Sequence, residues 1–284
     1  MTVTTRKYRP LGIAAALIPS LLLTVACGTA GTSTEPVAAD DSGCDVSAAH
    51  GSYAATGRGT AVGRGPLAAV GVLTFDGKGG FTAVRTIHNG PQVHPDHTVK
   101  GSYTINADCT GSLSYSNGDG ISGAQTTHND LVVDDNGNQL RVVGTDPGFA
   151  VIVEGRRQFI DTEPGSCSTS TLTGRYGATG SGVTADGKPL AAVGVLEFDG
   201  AGAFTVTRSI SLNGEIIPKQ TIEGTYTLDA DCTGSVEYVA DGIPVGEIKR
   251  NYIVVGDDGR ELRAVGLDPN LLDTILAYQQ EPRR

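Results

Sequence analysis

Residues 66–85 read PLAAVGVLTFDGKGGFTAVR, and residues 189–208 repeat this stretch as PLAAVGVLEFDGAGAFTVTR. In both copies, alternating apolar residues flank an Asp-Gly pair, which is the sequence pattern of a β-hairpin. The copies lie 123 positions apart, and the same offset relates residues far outside the hairpin. The further matched pairs are Cys44 and Cys167, Tyr53 and Tyr176, Tyr103 and Tyr226, Cys109 and Cys232, and Tyr115 and Tyr238. The chain is therefore a tandem duplication.

Composition sets the fold class and the number of domains. The 284 residues include 40 glycines and no tryptophan, and short alternating runs are separated by Asn-Gly and Asp-Gly pairs. This pattern predicts an all-β structure. Each copy is long enough to bury its own core. We predict one domain over residues 44–160, a linker over 161–166 and a second domain over 167–284.

The first copy contains eight candidate strands, and their connections alternate in length. The strands are predicted near 51–57, 67–75, 81–88, 97–106, 110–116, 127–134, 139–145 and 149–157. Tight turns should join strands two and three, four and five, and six and seven, whereas longer links over 58–66, 89–95 and 117–126 join the others. In an up-and-down meander, alternate turns fall at opposite ends. The prediction is two tandem eight-stranded antiparallel up-and-down β-barrels, with β-sandwiches as the structural alternative.

One short motif extends this prediction to known families. Gly51-Ser52-Tyr53 and Gly174-Arg175-Tyr176 stand where lipocalins have Gly-x-Trp, with Tyr in place of Trp in both copies. Together with eight strands and a long first loop, this resembles the calycin, or lipocalin-like, barrel. Allene-oxide-cyclase-like barrels are similar in architecture. The first resemblance implies a ligand-binding lumen, and the second implies a lumen that shapes a reactive substrate.

The N-terminus has the pattern of an export signal. Arg6, Lys7 and Arg9 precede an apolar run from 11 to 26, so we interpret residues 1–26 as a signal peptide. Residues 23–27, LTVAC, resemble the lipobox of bacterial lipoproteins, with Thr24 where Leu is usual. The resemblance implies that Cys27 is lipidated and becomes the new N-terminus. The alternative is cleavage after Ala30, which would release a soluble secreted protein.

The net charge limits the classes of partner that the protein is expected to bind. The formal net charge is −10 and becomes more negative when the basic leader is removed. Such a surface repels phosphate backbones, so nucleic-acid binding is not expected. Residues 27–43 have the composition of a disordered tether. We therefore expect a protein on the outer face of the bacterial cell membrane, attached through its N-terminal lipid only.

The four remaining cysteines predict two disulfide bridges. An exported chain lies in a disulfide-permissive compartment. Four cysteines allow three connectivities, and the duplication selects the one in which each copy closes its own loop. The predicted bridges are Cys44–Cys109 and Cys167–Cys232. Metal binding by these cysteines is the weaker interpretation, because no C-x-x-C pair is present.

Period-two alternation identifies the side chains that point into each barrel. Arg85 and Arg208 share the apolar face of the third strand, and small residues on neighbouring strands are expected to leave space beside them. An inward Arg needs partners. The predicted ligand-binding residues are Arg85, Tyr103, Tyr115, Arg208, Tyr226 and Tyr238. The structural alternative is an Arg held by tyrosine hydroxyls, backbone carbonyls or a buried carboxylate.

Other chemistry is sparse. The five histidines, His50, His88, His94, His97 and His128, all lie in the first copy, and we interpret them as solvated loop residues rather than metal ligands. No Gly-x-Ser-x-Gly elbow, phosphate loop or paired inward carboxylates are present, so no catalytic residue and no cofactor is predicted. The leading prediction is non-catalytic binding of a small, partly apolar ligand. The alternatives are a barrel cyclase or isomerase, and a filled barrel that serves as a cell-surface interaction module.

Overall fold

The computed structural model describes residues 43–116, 126–239 and 248–280. The first copy forms eight strands. They are β1 (His50–Ala61), β2 (Gly65–Asp76), β3 (Gly80–Asn89), β4 (Gln92–Ile105), β5 (Thr110–Ser116), β6 (Thr126–Asp134), β7 (Gln139–Gly144) and β8 (Phe149–Arg157). Each strand pairs antiparallel with the next, and β1 also pairs with β8. This closes barrel 1.

The second copy closes in the same way. Its strands are β9 (Thr173–Thr184), β10 (Pro189–Asp199), β11 (Ala203–Leu212), β12 (Glu215–Leu228), β13 (Thr233–Val239), β14 (Ile248–Gly256), β15 (Glu261–Gly266) and β16 (Leu271–Gln279). Pairing of β16 with β9 completes barrel 2. Short 3₁₀ turns occur at Val46–Ala48, Asp135–Gly137, Thr169–Thr171 and Asp257–Gly259. The predicted pair of closed eight-stranded barrels is confirmed, and β-sandwiches are excluded.

Two links that the sequence predicted to be long are short. Ala61 ends β1 and Gly65 begins β2, so most of the predicted 58–66 link is strand. Likewise, β3 ends at Asn89 and β4 begins at Gln92. The prediction was wrong there because glycine and proline obscure the alternation that marks a strand. The third link, over 117–126, lies almost entirely outside the described residues.

Aromatic side chains fill one end of each lumen. The ring of Phe75 lies 4.9 Å from that of Tyr103, 5.6 Å from that of Tyr53 and 5.6 Å from that of Phe81. The Tyr53 hydroxyl donates to the carbonyl oxygen of Gly137 at 2.5 Å. Phe198 makes the equivalent contacts with Tyr176, Phe204 and Tyr226 in barrel 2. We call this the closed end of each barrel.

The disulfide bridges lie at the closed end. Cys44 bonds Cys109 with the Cα atoms 5.0 Å apart, and Cys167 bonds Cys232 with the Cα atoms 5.2 Å apart. Both predicted pairings are confirmed. Each bridge ties the segment before the first strand to the turn after the fourth strand. Two such bridges indicate an oxidising compartment.

The two barrels pack against each other through their outer faces. Ala54, Ala68 and Val70 of barrel 1 form a buried apolar cluster with Val254 and Val265 of barrel 2, each at most 1% exposed. We call this cluster the inter-barrel patch. The fully buried contact shows that the outer face of β2 is a packing surface as well as its inner face.

Polar contacts frame the inter-barrel patch. The Gln158 side chain donates to the backbone carbonyls of Asp231 and Val255, both at 3.1 Å. Arg263 forms a buried ion pair with Glu261 and donates to the carbonyl oxygen of Glu154 at 2.9 Å. Buried groups that are paired in this way fix the relative position of the two outer faces. Within the described ranges, no helix is long and apolar enough to cross a membrane.

Candidate functional site

Each predicted inward arginine lies directly opposite a glycine. Arg85 on β3 pairs with Gly71 on β2, and Arg208 on β11 pairs with Gly194 on β10. A Cβ atom at Gly71 would lie 2.5 Å from the Cβ of Arg85, and one at Gly194 would lie 2.8 Å from the Cβ of Arg208. The glycines were expected to leave space in the lumen. They instead allow the arginine backbone to approach closely, so the pairing position accepts no side chain.

A β-bulge accompanies each arginine. Arg85 pairs with His97, but the inward residue two positions on, Ile87, pairs with His94, so β4 carries an extra residue at Pro95–Asp96. The equivalent shift in barrel 2 falls between Arg208 and Ile210, which pair with residues 220 and 217 of β12. Proline occurs in strands mainly at edges and bulges, and bulges often re-aim side chains beside functional sites. Both barrels retain this distortion at the arginine and nowhere else in their described pairings.

Each arginine contacts a tyrosine that lies two strands further along the barrel. The Arg85 Nη1 donates to the Tyr115 hydroxyl at 3.2 Å, and its guanidinium lies 5.1 Å from the centre of the Tyr115 ring. In barrel 2, the guanidinium of Arg208 lies 5.5 Å from the Tyr238 ring centre. Burial raises the pKa of Tyr238, while the nearby Arg208 acts in the opposite direction. The structure therefore brings together two of the three residues predicted in each barrel.

The third predicted pair, Tyr103 and Tyr226, lies at the closed end. The Tyr103 hydroxyl donates to the backbone carbonyls of Val46 and Ala49, at 3.0 and 2.8 Å. Tyr226 makes the equivalent bonds to the carbonyls of Thr169 and Leu172. These hydroxyls are used by the backbone, and neither ring lines the cavities beside the arginines.

An asparagine completes the site and was missed by the sequence analysis. Asn129 on β6 lines the cavities around Arg85 and Tyr115, and Asn251 on β14 occupies the matching position in barrel 2. The Nδ2 atom of Asn129 and the Oδ1 atom of Asn251 are buried with no hydrogen-bond partner in the described part of the chain. The oxygen and nitrogen of an asparagine side chain exchange places when the amide group is flipped, so the unpartnered atom can be the donor or the acceptor. The available signal was that Asn recurs in the two copies once a one-residue deletion is allowed.

Cavities flank the arginine in both barrels. In barrel 1 they measure about 90 and 60 Å³, and both touch Arg85, Tyr115 and Asn129. In barrel 2 they measure about 60 and 40 Å³ and both touch Arg208 and Tyr238. Their remaining walls are mainly apolar; in barrel 1 they include Leu67, Leu73, Ile87, Val99, Leu113 and Val151. The site thus combines a cation, hydroxyl and amide groups with a compact apolar space.

The histidines are placed differently from the prediction. His88 was interpreted as a solvated loop residue, which is wrong, because it is fully buried and its Nδ1 lies 3.1 Å from the carbonyl oxygen of Gly266 in barrel 2. Burial lowers its pKa. His128 is exposed, and its backbone N–H and Nδ1 contact the Asp146 carboxylate at 2.7 and 3.0 Å. No cluster of three or more His, Cys, Asp or Glu side chains suited to a metal ion occurs in the described ranges.

Comparison with known proteins yields only distant structural similarity. No protein-family model and no curated protein matches the sequence. Among solved structures, one similar protein is a DUF3598-family protein of unknown function from Nostoc punctiforme, with 10% identity, a TM-score of 0.26, and coverage of 82% of this chain and 97% of that one. Another is kievitone hydratase from Nectria haematococca, with 11% identity, a TM-score of 0.26, and coverage of 89% and 96%.

Proposed function

We propose that this exported protein binds a small, partly apolar ligand with an anionic group in the lumen of a β-barrel. The observation that carries the proposal is the recurring Arg-Tyr-Asn site, in which Arg85, Tyr115 and Asn129 face one cavity and Arg208, Tyr238 and Asn251 are their equivalents. The binding is non-catalytic, since a positioned cation, hydroxyl and amide suffice for recognition.

The chemistry of the site favours a carboxylate. A guanidinium offers planar, bidentate donors that match carboxylate geometry. The tyrosine hydroxyl fixes and polarises that donor set from one side, at 3.2 Å from Arg85 Nη1. The Nδ2 of Asn129 supplies a further hydrogen-bond donor in barrel 1 that has no protein partner among the described residues. A buried polar group of this kind is costly unless something satisfies it.

The cavity size limits the ligand. The two cavities beside Arg85, about 90 and 60 Å³, together approach the size of an apolar cavity of about 150 Å³ that holds a benzene ring. Apolar walls would contribute roughly 25 cal/mol for each Å² of ligand surface removed from water. The fitting class is therefore a single-ring or short aliphatic carboxylate, for which benzoate and hexanoate are suitable probes.

Binding of these probes should depend on the inward arginine. Arg85→Met replaces the cation by an apolar side chain, and we expect the affinity for benzoate and hexanoate to fall at least about tenfold. Isothermal titration calorimetry on the wild-type protein and the variant provides the measurement. Arg58→Met is the matched control, because Arg58 pairs with Glu154 in partly exposed positions. A lowered melting temperature with unchanged affinity would show that Arg85 is a structural residue.

We also propose that Cys27 carries a lipid that anchors the protein to the outer face of the bacterial cell membrane. The lipobox-like sequence at residues 23–27 supports this, and Cys27 itself lies outside the described residues. The wild-type protein is expected to enter the detergent phase in a phase-partition assay, whereas Cys27→Ser should stay in the aqueous phase. If both proteins stay in the aqueous phase, cleavage after Ala30 becomes the better interpretation.

A further inference from the structure

The two lumens differ at one inward position of their last strands. Val151 on β8 lines the larger cavity of barrel 1 and pairs with Gly59. The residue that pairs with the equivalent Gly182 in barrel 2 is Asp273 on β16. Asp273 is 7% exposed and lines a cavity together with Arg208. Barrel 1 thus has an apolar side chain at the position where barrel 2 has a buried carboxyl group.

Asp273 gives barrel 2 a buried carboxyl group of its own beside Arg208. Its carboxyl group is close enough to Arg208 for the guanidinium to favour the ionised form, and the Asn251 side chain does the same through a hydrogen bond. Burial acts more strongly in the other direction and raises the pKa of Asp273 to about 7. At pH 8 the group is therefore mainly a carboxylate.

The two barrels also differ in charge at a second inward position. Lys249 on β14 is 4% exposed and forms an ion pair with Asp268 in barrel 2. The strand pairing puts Thr127 at the matching position in barrel 1, because Thr127 pairs with Tyr115 as Lys249 pairs with Tyr238. Barrel 2 therefore has one cation and one carboxyl group at inward positions where barrel 1 has a hydroxyl and an apolar side chain.

We propose that the two lumens select ligands by charge, so that barrel 1 binds a compact carboxylate while Asp273 makes barrel 2 exclude carboxylates and admit neutral, hydrogen-bonding molecules. This inference rests on the function proposed above. In barrel 1 the apolar Val151 stands at this position, and the carboxylate that lines the same cavity, Asp146, accepts the His128 backbone N–H and contacts its Nδ1. In barrel 2, a ligand carboxylate would lie beside the carboxylate of Asp273, and like charges repel strongly in a site that excludes water.

The test is an NMR titration of the whole protein at pH 8 with benzoate and with benzamide, its neutral isostere. Backbone amide shifts report which barrel responds. For the wild-type protein, benzoate should perturb barrel 1 only, and benzamide should perturb barrel 2. Asp273→Asn, which keeps the side-chain size, and Asp273→Val should each let benzoate enter barrel 2. Val151→Asp should weaken benzoate binding in barrel 1 at least about tenfold.

The outcomes separate this inference from the proposed function. If benzoate perturbs both barrels of the wild-type protein with similar affinity, charge selection is wrong and lumen binding stands. The same conclusion follows if neither Asp273 variant gains a benzoate site while barrel 1 binds. If benzoate perturbs no lumen residue in the wild type or in any variant, the anionic-ligand function fails, and this inference fails with it.

Discussion

Replacing Cys44 and Cys109 together by alanine is expected to lower the free energy of unfolding by about 4 kcal/mol. The bridge spans a sequence separation of 65 residues. In the chain-entropy account, opening a loop of this length releases about that much conformational entropy in the unfolded state. The bridge also holds the segment before β1 against the turn that contains Ala107, whose carbonyl accepts the Cys44 N–H at 3.1 Å. Urea unfolding of the variant and the wild type measures the effect.

The duplication supplies a matched control for this prediction. Cys167 and Cys232 have the same separation of 65 residues, so their double alanine variant should lose a similar amount. Reduction of the wild-type bridges should reproduce both losses without any substitution. A loss below about 1 kcal/mol in either barrel would contradict loop-closure entropy as the main contribution of that bridge.

The closed barrels and their bridges were predictable because the chain carries the same information twice. Alternation around Asp76-Gly77 fixed a hairpin, and the structure pairs Phe75 with Phe81 across it. The equivalent hairpin pairs Phe198 with Phe204. The repeat also reduced three possible cysteine connectivities to one. Inward placement of Arg85 followed from its shared face with Phe81, since side chains two apart point the same way.

The rest of the site was not predictable because strand alternation fails at a bulge. Because of Pro95, the predicted fourth strand began too late, at residue 97, whereas the structure extends β4 back to Gln92 through the bulge. Tyr103 was grouped with Tyr115 because strand alternation points both side chains inward. Alternation does not show how far along the barrel axis a side chain lies. Asn129 lay on a strand whose alternation is weak in sequence, so its inward position became evident only from its pairing with Leu113.

The inter-barrel patch could not be predicted from the sequence, for a different reason. The two copies have nearly the same sequence in the hairpin, yet among the described residues only the first copy packs the outer face of this hairpin against the other barrel. Val70 is 1% exposed, whereas Val193, its equivalent by the 123-residue offset, is 61% exposed. A repeat analysis assigns both residues the same surroundings. Burial of a second sheet face depends on the partner surface, which period-two alternation does not report.

This difference between equivalent residues makes the inter-barrel contact testable. Val70→Asp should lower the free energy of unfolding by at least about 4 kcal/mol, because it buries a carboxyl group without a partner in an apolar cluster. Val193→Asp introduces the same carboxyl group into the same strand position of barrel 2, where the side chain is 61% exposed, and should cost no more than about 1 kcal/mol. Subtracting one effect from the other removes the intrinsic cost of Asp in a β-strand and leaves the contribution of the contact.

Two measurements decide the result. Urea unfolding gives the difference between the variants, and limited proteolysis at residues 161–166 reports whether the barrels separate without unfolding. Loss of packing at Val70 should also expose the buried His88 and the Gln158 side chain, whose hydrogen bonds cross between barrels. Val70→Asp should therefore speed cleavage of this segment, while Val193→Asp should not. Equal and small effects of the two substitutions would mean that the barrels do not pack through the patch in solution, and each would then have to be stable with its outer face in water.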